Sequence, residues 1–230
     1  MLTGPHNLGS HLRSIRARIE QAAVRVGRDP AAVNLVAVSK TQPAESVREA
    51  ATLGVTDFAE NYVREAAEKI EVLRKLPLNW HFIGAIQANK TRAIAAEFAW
   101  VHSLDRLSIA RRLSEQRPFH APPLNLCIQV ALVPEPTKGG ALPEDLDQLA
   151  RAISVMPRLR LRGLMCLPPP TSDVGAQRAI FARLRQTLEG LNSQGLGLDT
   201  LSMGMSDDFE AAIAEGATHV RIGTALFGPR

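Results

Sequence analysis

Hydrophobic and polar positions follow two alternating periods along this chain. Eight short runs rich in Val, Leu and Ile lack the polar alternation of a half-exposed strand, which predicts parallel strands covered on both faces. These runs lie at residues 33–39, 55–59, 80–84, 98–103, 124–133, 159–167, 198–203 and 219–222. Between them, apolar residues recur at helical spacing, so a helix is predicted to connect each strand to the next.

A further amphipathic helix is predicted before the first strand, because apolar residues recur there three or four positions apart and arginines lie between them. The apolar positions are Leu8, Leu12, Ile15, Ile19, Ala22 and Val26. Gly27 marks the end of this helix. We interpret residues 1–32 as an N-terminal helix and lead-in to a single domain that spans residues 1–230.

About eight strand–helix alternations with no intervening linker predict an α/β protein built as a single (β/α)₈ TIM-type barrel preceded by an N-terminal amphipathic helix. The length of 230 residues suits one such barrel. A doubly wound open sheet is the alternative. The sequence has no Gly-x-Gly-x-x-Gly after the first strand, so the usual dinucleotide fingerprint is absent and the barrel is favoured.

The charge and composition argue against nucleic acid as a partner and favour anionic small molecules. The net charge is +4, the arginines are scattered, and aromatic residues make up only 4% of the chain. Stacking platforms for single-stranded nucleic acid are therefore poorly supplied, and nucleic acid is not expected as a partner. The mild basicity instead favours weak attraction of anionic small molecules.

The N-terminal residues 1–9 contain no apolar core of signal-peptide length, and no later run approaches a membrane span, so we expect no membrane association and a cytoplasmic location. The two cysteines, Cys127 and Cys166, lie in separate strand-like runs and form no Cys-x-x-Cys pair. They are expected to be buried thiols, and no metal site is expected.

Lys40 is the first candidate for chemistry, because it follows the buried strand at 33–39, at the edge where parallel α/β proteins place their active sites. An ammonium at the end of an apolar strand loses its proton more easily than one in water, which makes the amine a candidate imine-forming nucleophile. The alternative is a lysine that only extends from the strand end into solvent.

Two loops offer phosphate donors where barrels often bind phosphate, after strands seven and eight. Gly204 and Ser206 lie in the first loop, and Arg221, Gly223 and Thr224 lie at the second. Glycines allow close backbone approach, hydroxyls donate hydrogen bonds, and arginine is a permanent cation. The alternative for the first loop is structural, since Asp207 and Glu210 have the spacing of a capping box.

An amine opposite a set of phosphate donors suits a phosphorylated aldehyde. In a closed barrel strand one lies beside strand eight, so Lys40 and the phosphate donors would face the same mouth. The obvious ligand is pyridoxal 5′-phosphate (PLP), bound to Lys40 as an imine. A phosphate-binding barrel that never forms an imine remains the alternative if Lys40 points away from the mouth.

Seven segments, in order along the chain, closely resemble those of the PLP homeostasis proteins, small PLP-binding proteins whose fold is similar to the N-terminal barrel of alanine racemase. The segments are Ala37-Val38-Ser39-Lys40-Thr41, Glu60-Asn61-Tyr62-Val63, His81-Phe82-Ile83-Gly84, Gln87-x-Asn89-Lys90, Leu161-Arg162-Gly163-Leu164-Met165, Leu201-Ser202-Met203-Gly204-Met205-Ser206-Asp207-Asp208 and Val220-Arg221-Ile222-Gly223-Thr224.

The resemblance implies a cofactor site in which Lys40 holds PLP, while the phosphate is held by Ser206, Gly223 and Thr224. It implies also that Arg221 faces the pyridine nitrogen and keeps it unprotonated, because protonation would place two cations in contact.

The resemblance places Asn61 close to the ring, although the residue type alone favours a helix cap there. Met203 and Met205 are expected to contribute backbone amides and packing to the same site. The chain departs from the family pattern at Ala59, Ala85 and Ala88, where Gly, Pro and Ser are usual.

Two functions from different classes follow. The first is a carrier that buffers PLP and delivers it, with PLP-requiring apoenzymes as recipients, and that exists as a monomer or weak dimer. The second is a PLP-dependent amino-acid racemase, which needs acid–base groups on both faces of the substrate. The only tyrosine, Tyr62, lacks the context of a second base, so the carrier is favoured. His81 is expected to be a hydrogen-bonded core residue, and Lys90 and Lys138 are expected to be loop lysines near the mouth.

Overall fold

The structure, a computed structural model that describes residues 8–133 and 139–228, is a closed barrel of parallel strands that pair in chain order from β1 to β8. The predicted (β/α)₈ fold is therefore confirmed. The strands are β1 (Asn34–Val38), β2 (Asp57–Glu60), β3 (Asn79–Phe82), β4 (Trp100–Leu104), β5 (Leu124–Gln129), β6 (Leu159–Met165), β7 (Thr200–Ser202) and β8 (His219–Ile222).

Helices surround the barrel and connect its strands. They are α1 (Leu8–Arg25), α2 (Ala44–Thr52), α3 (Val63–Leu73), α4 (Thr91–Glu97), α5 (Leu107–Gln116), α6 (Leu146–Ser154), α7 (Val174–Ser193), α8 (Phe209–Ala214) and α9 (Thr224–Phe227). None of the helices in the described ranges combines the length and the apolar character that crossing a bilayer requires.

The barrel closes where β1 pairs with β8, with Val36 opposite Arg221 and Ala37 opposite Ile222. This pairing brings the residues that follow the first strand next to those that follow the last. The helix α1 packs across α8 and α9, and its Arg18 forms a 2.6 Å ion pair with Glu210 of α8. The N-terminal helix thus covers part of the barrel surface near the closure.

The helix ends differ from prediction at the loop after β7. The capping box of Asp207 and Glu210, the structural alternative for this loop, does not form: α8 begins at Phe209, and Glu210 pairs with Arg18 instead of reaching back along its own helix. Asp208 takes the capping position and accepts a 2.6 Å hydrogen bond from the backbone N–H of Met205. This bond folds the loop tightly over the start of α8.

Two other segments depart from the pattern of apolar runs. The fifth strand ends at Gln129 rather than at residue 133, and Val130 forms an isolated bridge with Ala141. A short helix, α9, begins at Thr224, where only a loop was expected. Lys138 lies outside the described residues.

Both cysteines are buried free thiols, as expected from their positions in apolar runs. Burial raises the pKa of Cys127 and of Cys166 to about 12, so both stay protonated and unreactive at neutral pH.

Candidate functional site

A cavity of about 260 Å³ opens at the mouth formed by the carboxyl ends of the strands. Its walls come from the loops after β1, β2, β3, β6, β7 and β8, and from strand residues just below those loops. The lining residues are Val38, Lys40, Asn61, Ile83, Leu167, Met205, Ser206, Asp207, Arg221, Gly223 and Thr224. Seven of the eight residues that the sequence suggested for a cofactor site therefore share one cavity.

Lys40 lies two residues beyond the end of β1 and is half-buried. The next residue, Thr41, has a φ of 66°, a left-handed conformation that is a genuine outlier for a β-branched residue. The backbone N–H of Thr41 donates a 2.5 Å hydrogen bond to Glu65 Oε1. The turn that presents Lys40 is thus held by a carboxylate from α3.

A buried ionic cluster lies beneath this turn. Lys69 Nζ, at 2.7 Å from each partner, donates to Glu60 Oε1, to Glu65 Oε1 and to the carbonyl of Ser39. The Ser39 hydroxyl also donates to Glu60 Oε1, at 2.6 Å. Burial raises the pKa of Glu60, although the hydrogen bonds from Lys69 and Ser39 work in the opposite direction. This cluster was not predicted from the sequence, and the spacing of Glu65 and Lys69 on α3 is the signal that could have revealed it.

The loops after β7 and β8 form the opposite wall of the cavity. Ser206 Oγ accepts a 3.3 Å hydrogen bond from the backbone N–H of Ala225, which ties the two loops together. Gly204 has a φ of +93°, and a Cβ there would lie 2.7 Å from the Ala212 side chain, so only glycine fits. Thr224, at the start of α9, is exposed to the cavity.

Arg221 is almost completely buried, with 2% of its surface exposed, yet it reaches the cavity wall. Its Nη1 donates a 2.7 Å hydrogen bond to Ser202 Oγ, and its Nη2 donates a 2.9 Å bond to the carbonyl of Cys166. Burial lowers the pKa of Arg221, but a guanidinium starts from a value so high that it stays charged. The cavity therefore has a fixed cation at its base.

Asn61 does not cap the helix that follows it. The capping position of α3 is Tyr62, which makes no side-chain cap bond. Asn61 lines the cavity, and its Oδ1 is buried with no hydrogen-bond partner among the described residues. Its backbone is held by close packing, since a Cβ on Gly84 would lie 2.0 Å from the Asn61 carbonyl oxygen. A residue of the cavity wall thus carries a buried acceptor that is unused in the described part of the chain, and such a group favours a polar ligand contact.

The structure does not bring Met203 to the cavity. Met203 is fully buried and follows β7, with its backbone N–H donated to the carbonyl of His219 at 3.1 Å. Two residues further on, Met205 does line the cavity. The expected contribution of Met203 to a cofactor site is therefore not supported by its position, because it lies below the loop rather than in it.

Several lining residues were missed by the sequence analysis. Val38, Ile83 and Leu167 form an apolar part of the wall, and Asp207 adds a carboxylate at the rim. They lie at or beyond strand ends, but nothing in their residue types marks them as ligand contacts. The departures from the family pattern at Ala59, Ala85 and Ala88 are not among the residues that line the cavity.

His81 is a core residue, as interpreted from its place inside a strand. It is fully buried and hydrogen-bonded through both ring nitrogens, to Asp57 and to His102. Burial lowers the pKa of His81, so the ring is neutral at pH 7.

Curated relatives share nearly the whole chain. A protein from Pseudomonas aeruginosa named "Pyridoxal phosphate homeostasis protein" is 61% identical over 223 residues, which cover 97% of this chain and 96% of the relative. A protein of the same name from Escherichia coli K12 is 47% identical over 228 residues, covering 98% of this chain and 97% of the relative.

Solved structures of other proteins are also similar to this fold. PipY from Synechococcus elongatus, solved with PLP bound, is 36% identical, with a TM-score of 0.84 over 96% of this chain and 100% of PipY. Alanine racemase from Corynebacterium glutamicum, at 18% identity and a TM-score of 0.68 over 95% of this chain and 61% of that protein, shares the fold alone. Residues 10–230 match the family described as "Alanine racemase, N-terminal domain". The chain thus belongs to the pyridoxal phosphate homeostasis protein family and carries the alanine racemase N-terminal domain.

Proposed function

We propose that this protein binds PLP in the cavity at the mouth of the barrel, and that it buffers and delivers the cofactor rather than using it in catalysis. The observation that carries this proposal is the convergence of an amine, a buried cation and two hydroxyls on one cavity, from Lys40, Arg221, Ser206 and Thr224. The names of the relatives and the PLP-bound PipY structure support it.

The residues present fit this group. PLP combines an aldehyde, a ring nitrogen and a phosphate, and the cavity offers a partner of matching chemistry for each. The Oδ1 of Asn61, which has no partner in the described ranges, would give a further polar contact for the ring substituents. When bound, PLP supplies an electrophilic aldehyde and an electron-withdrawing ring.

Lys40 is the residue that would hold the aldehyde carbon covalently, through its Nζ and with loss of one water. Its backbone on both sides is fixed, since the Ser39 carbonyl is bonded to Lys69 and the Thr41 N–H to Glu65. The amine therefore projects from a rigid turn, which lowers the entropic cost of binding.

Ser206 and Thr224 would hold the phosphate, with backbone amides at the turn through Gly223 contributing further donors. Both loops belong to the end of the barrel where phosphate groups commonly bind. Arg221, held by Ser202 and the Cys166 carbonyl, would face the ring nitrogen and keep it unprotonated, because two cations in contact repel.

A racemase would need a second acid–base group across the cavity from Lys40. Tyr62 is 59% exposed and is not among the residues that line the cavity. An unprotonated pyridine ring is also a poor electron sink for carbanion chemistry. The geometry therefore favours a carrier, and we infer that PLP-requiring apoenzymes receive the cofactor. Since a closed barrel leaves no free sheet edge, a monomer or weak dimer is the expected assembly.

Borohydride reduction after incubation with PLP tests the assignment of Lys40. Peptide mapping by mass spectrometry should place the pyridoxyl group on the peptide that contains Lys40, and Lys40→Ala should lose the label. Lys90→Ala is the matched control, because Lys90 is an exposed lysine in the loop after β3. Labelling that persists in Lys40→Ala and disappears in Lys90→Ala would refute the assignment.

Chiral analysis of alanine incubated with the PLP-loaded protein tests the carrier against the racemase. The protein is expected to leave L-alanine unchanged over times in which an alanine racemase assayed in parallel brings it to equilibrium. Rapid racemisation that is lost in Lys40→Ala would overturn the carrier proposal.

A further inference from the structure

A row of polar side chains crosses the interior of the barrel below the cavity. Asp57, at the start of β2, lies 3.0 Å from His81 Nε2, and His81 Nδ1 lies 2.9 Å from His102 Nε2. His102 Nδ1 lies 2.6 Å from Ser202 Oγ, which accepts the 2.7 Å bond from Arg221 Nη1. Since β4 and β7 do not pair with each other, the bond between His102 and Ser202 spans the barrel.

The Asp57 end of this row determines which atoms carry protons. Burial alone would raise the pKa of Asp57, but hydrogen bonds from His81, Thr56 and Asn79 outweigh it and lower the pKa overall. An ionised carboxylate can only accept hydrogen bonds, so His81 Nε2 must carry a proton and donate it.

The two histidines then determine which atom donates and which accepts in the remaining hydrogen bonds of the row. Burial lowers the pKa of His81 and lowers that of His102 well below its ordinary value, so both rings are neutral. A neutral imidazole has one donor nitrogen and one acceptor nitrogen. His81 Nδ1 must therefore accept from His102 Nε2–H, and His102 Nδ1 must accept from the hydroxyl of Ser202.

The Arg221 end agrees with this assignment. Once the Ser202 proton is directed at His102, a lone pair of Ser202 Oγ is available for the guanidinium, which can only donate. Every bond in the row then points from Arg221 toward Asp57, between a cation at the cavity and an anion at the opposite end of the barrel.

We propose that Asp57 is a positioning residue for Arg221, acting through the one-directional row formed by His81, His102 and Ser202. The part of this proposal that concerns the cofactor rests on the proposed function. If Asp57 is removed, His81 is free to carry its proton on Nδ1 and to reverse the row. His102 would then donate to Ser202 Oγ, and the Ser202 proton would lose its acceptor. The hydroxyl would have to turn to place that proton elsewhere, and the guanidinium would lose its fixed place under the cavity.

Nuclear magnetic resonance of the ligand-free protein, labelled with ¹⁵N in histidine and arginine, tests the row itself. In the wild type, the ring protons of His81 and His102 should both reside on Nε2. Asp57→Asn should keep this pattern, since its amide oxygen can accept the same bond. In Asp57→Leu the His102 proton should move to Nδ1, and the Arg221 Nη signals should shift.

Asp199→Leu is the matched control, because Asp199 is a carboxylate directly before β7, at the same end of the barrel, and pairs with Arg162 at 2.8 Å. It should leave the signals of His81, His102 and Arg221 unchanged. His81→Phe gives a second test should Asp57→Leu not fold, since a phenyl ring can keep the stacking on Trp100 while breaking the row. A wild-type His102 protonated on Nδ1, or Arg221 signals unmoved in both variants, would overturn the proposal.

PLP labelled with ¹⁵N at its ring nitrogen tests the link to the cofactor. Its bound signal should move in Asp57→Leu and stay in place in Asp57→Asn and Asp199→Leu. A ring signal that stays in place while the Arg221 signals shift would overturn the positioning of Arg221 toward the cofactor. Absence of PLP binding in the wild type would refute the proposed function, whereas the proton positions in the ligand-free protein would still decide the row.

Discussion

Lys69 Nζ donates a 2.7 Å hydrogen bond to the backbone carbonyl of Ser39, the residue that directly precedes Lys40. The same ammonium pairs with Glu60 and Glu65, and it is 5% exposed. Because Glu65 in turn accepts the N–H of Thr41, one buried cluster holds the backbone on both sides of the candidate PLP-binding lysine. Lys69 thus helps to hold the turn that presents Lys40.

Replacing Lys69 with methionine should destabilise the protein and weaken PLP binding. The change leaves Glu60, which is fully buried, without its cation, and breaking a buried pair in this way costs about 3–5 kcal/mol. Urea denaturation and PLP titration measure the two effects. Lys75→Met, at an exposed lysine, is the control and should change neither. A Lys69→Met protein as stable as the wild type would contradict the role of the cluster.

Gly84→Ala should disturb Asn61 and through it the cavity. A Cβ at residue 84 would lie 2.0 Å from the Asn61 carbonyl oxygen, so the backbone must move, and overpacking of this kind costs about 1–3 kcal/mol. We expect lower thermal stability together with weaker PLP binding. Gly190→Ala is the matched control in α7, where a Cβ meets nothing within 4 Å.

The control variant should be more stable than the wild type, by about 0.5–1 kcal/mol, because alanine favours a helix interior over glycine. If Gly84→Ala and Gly190→Ala had the same effect on stability, the close contact between Gly84 and Asn61 would be of no consequence.

Ser206→Ala and Thr224→Val should each weaken PLP binding about ten-fold, since a hydrogen bond to a charged group contributes about 1.5–3 kcal/mol. Binding of pyridoxal, which lacks the phosphate, should change little in either variant. Isothermal titration with both ligands measures the discrimination. Ser193→Ala, at the exposed end of α7, is the control. If the variants discriminate PLP from pyridoxal as well as the wild type does, the phosphate does not bind at Ser206 and Thr224.

Acid should destabilise the protein through its buried histidines. Burial lowers the pKa of His219 to about 4, whereas an unfolded histidine has a pKa of about 6.5. The unfolded state therefore binds more protons between these values, and stability is lost as the pH falls from about 6.5 to about 4. His81 and His102 act in the same direction. Glu60 opposes them, since burial raises its pKa and the folded state gains a proton there.

Urea midpoints at pH 7, 6, 5 and 4.5 measure this dependence. His219→Gln should show a shallower loss of stability over the same range. The histidine argument fails if His219→Gln and the wild type lose stability in parallel.

The sequence alone predicted those residues of the candidate site that lie at or just beyond strand ends. Lys40, Ser206, Arg221 and Thr224 were identified because parallel strands in a barrel present their carboxyl ends at one mouth. The structure places all four on one cavity. The apolar runs likewise located the strands, with β8 predicted at its observed bounds of His219–Ile222.

Contacts across the barrel interior were not predictable in the same way. The bond between His102 and Ser202 joins residues a hundred positions apart on strands that do not pair. Its existence depends on the stagger of all the strands between them, which a single sequence does not reveal. Met205 lines the cavity and Met203 does not, and the sequence did not predict this difference either. The turn at Gly204 between them decides which side chain reaches the cavity.

The pairing of β1 with β8 has a consequence for the order of events during synthesis. A nascent chain that has emerged from the ribosome only as far as α7 already contains Lys40 but lacks Ser206, Arg221 and Thr224. Any ligand of the cavity that needs both walls therefore finds no complete site until translation has passed β8. Such a ligand stabilises the finished barrel by mass action and cannot guide the folding of the growing chain.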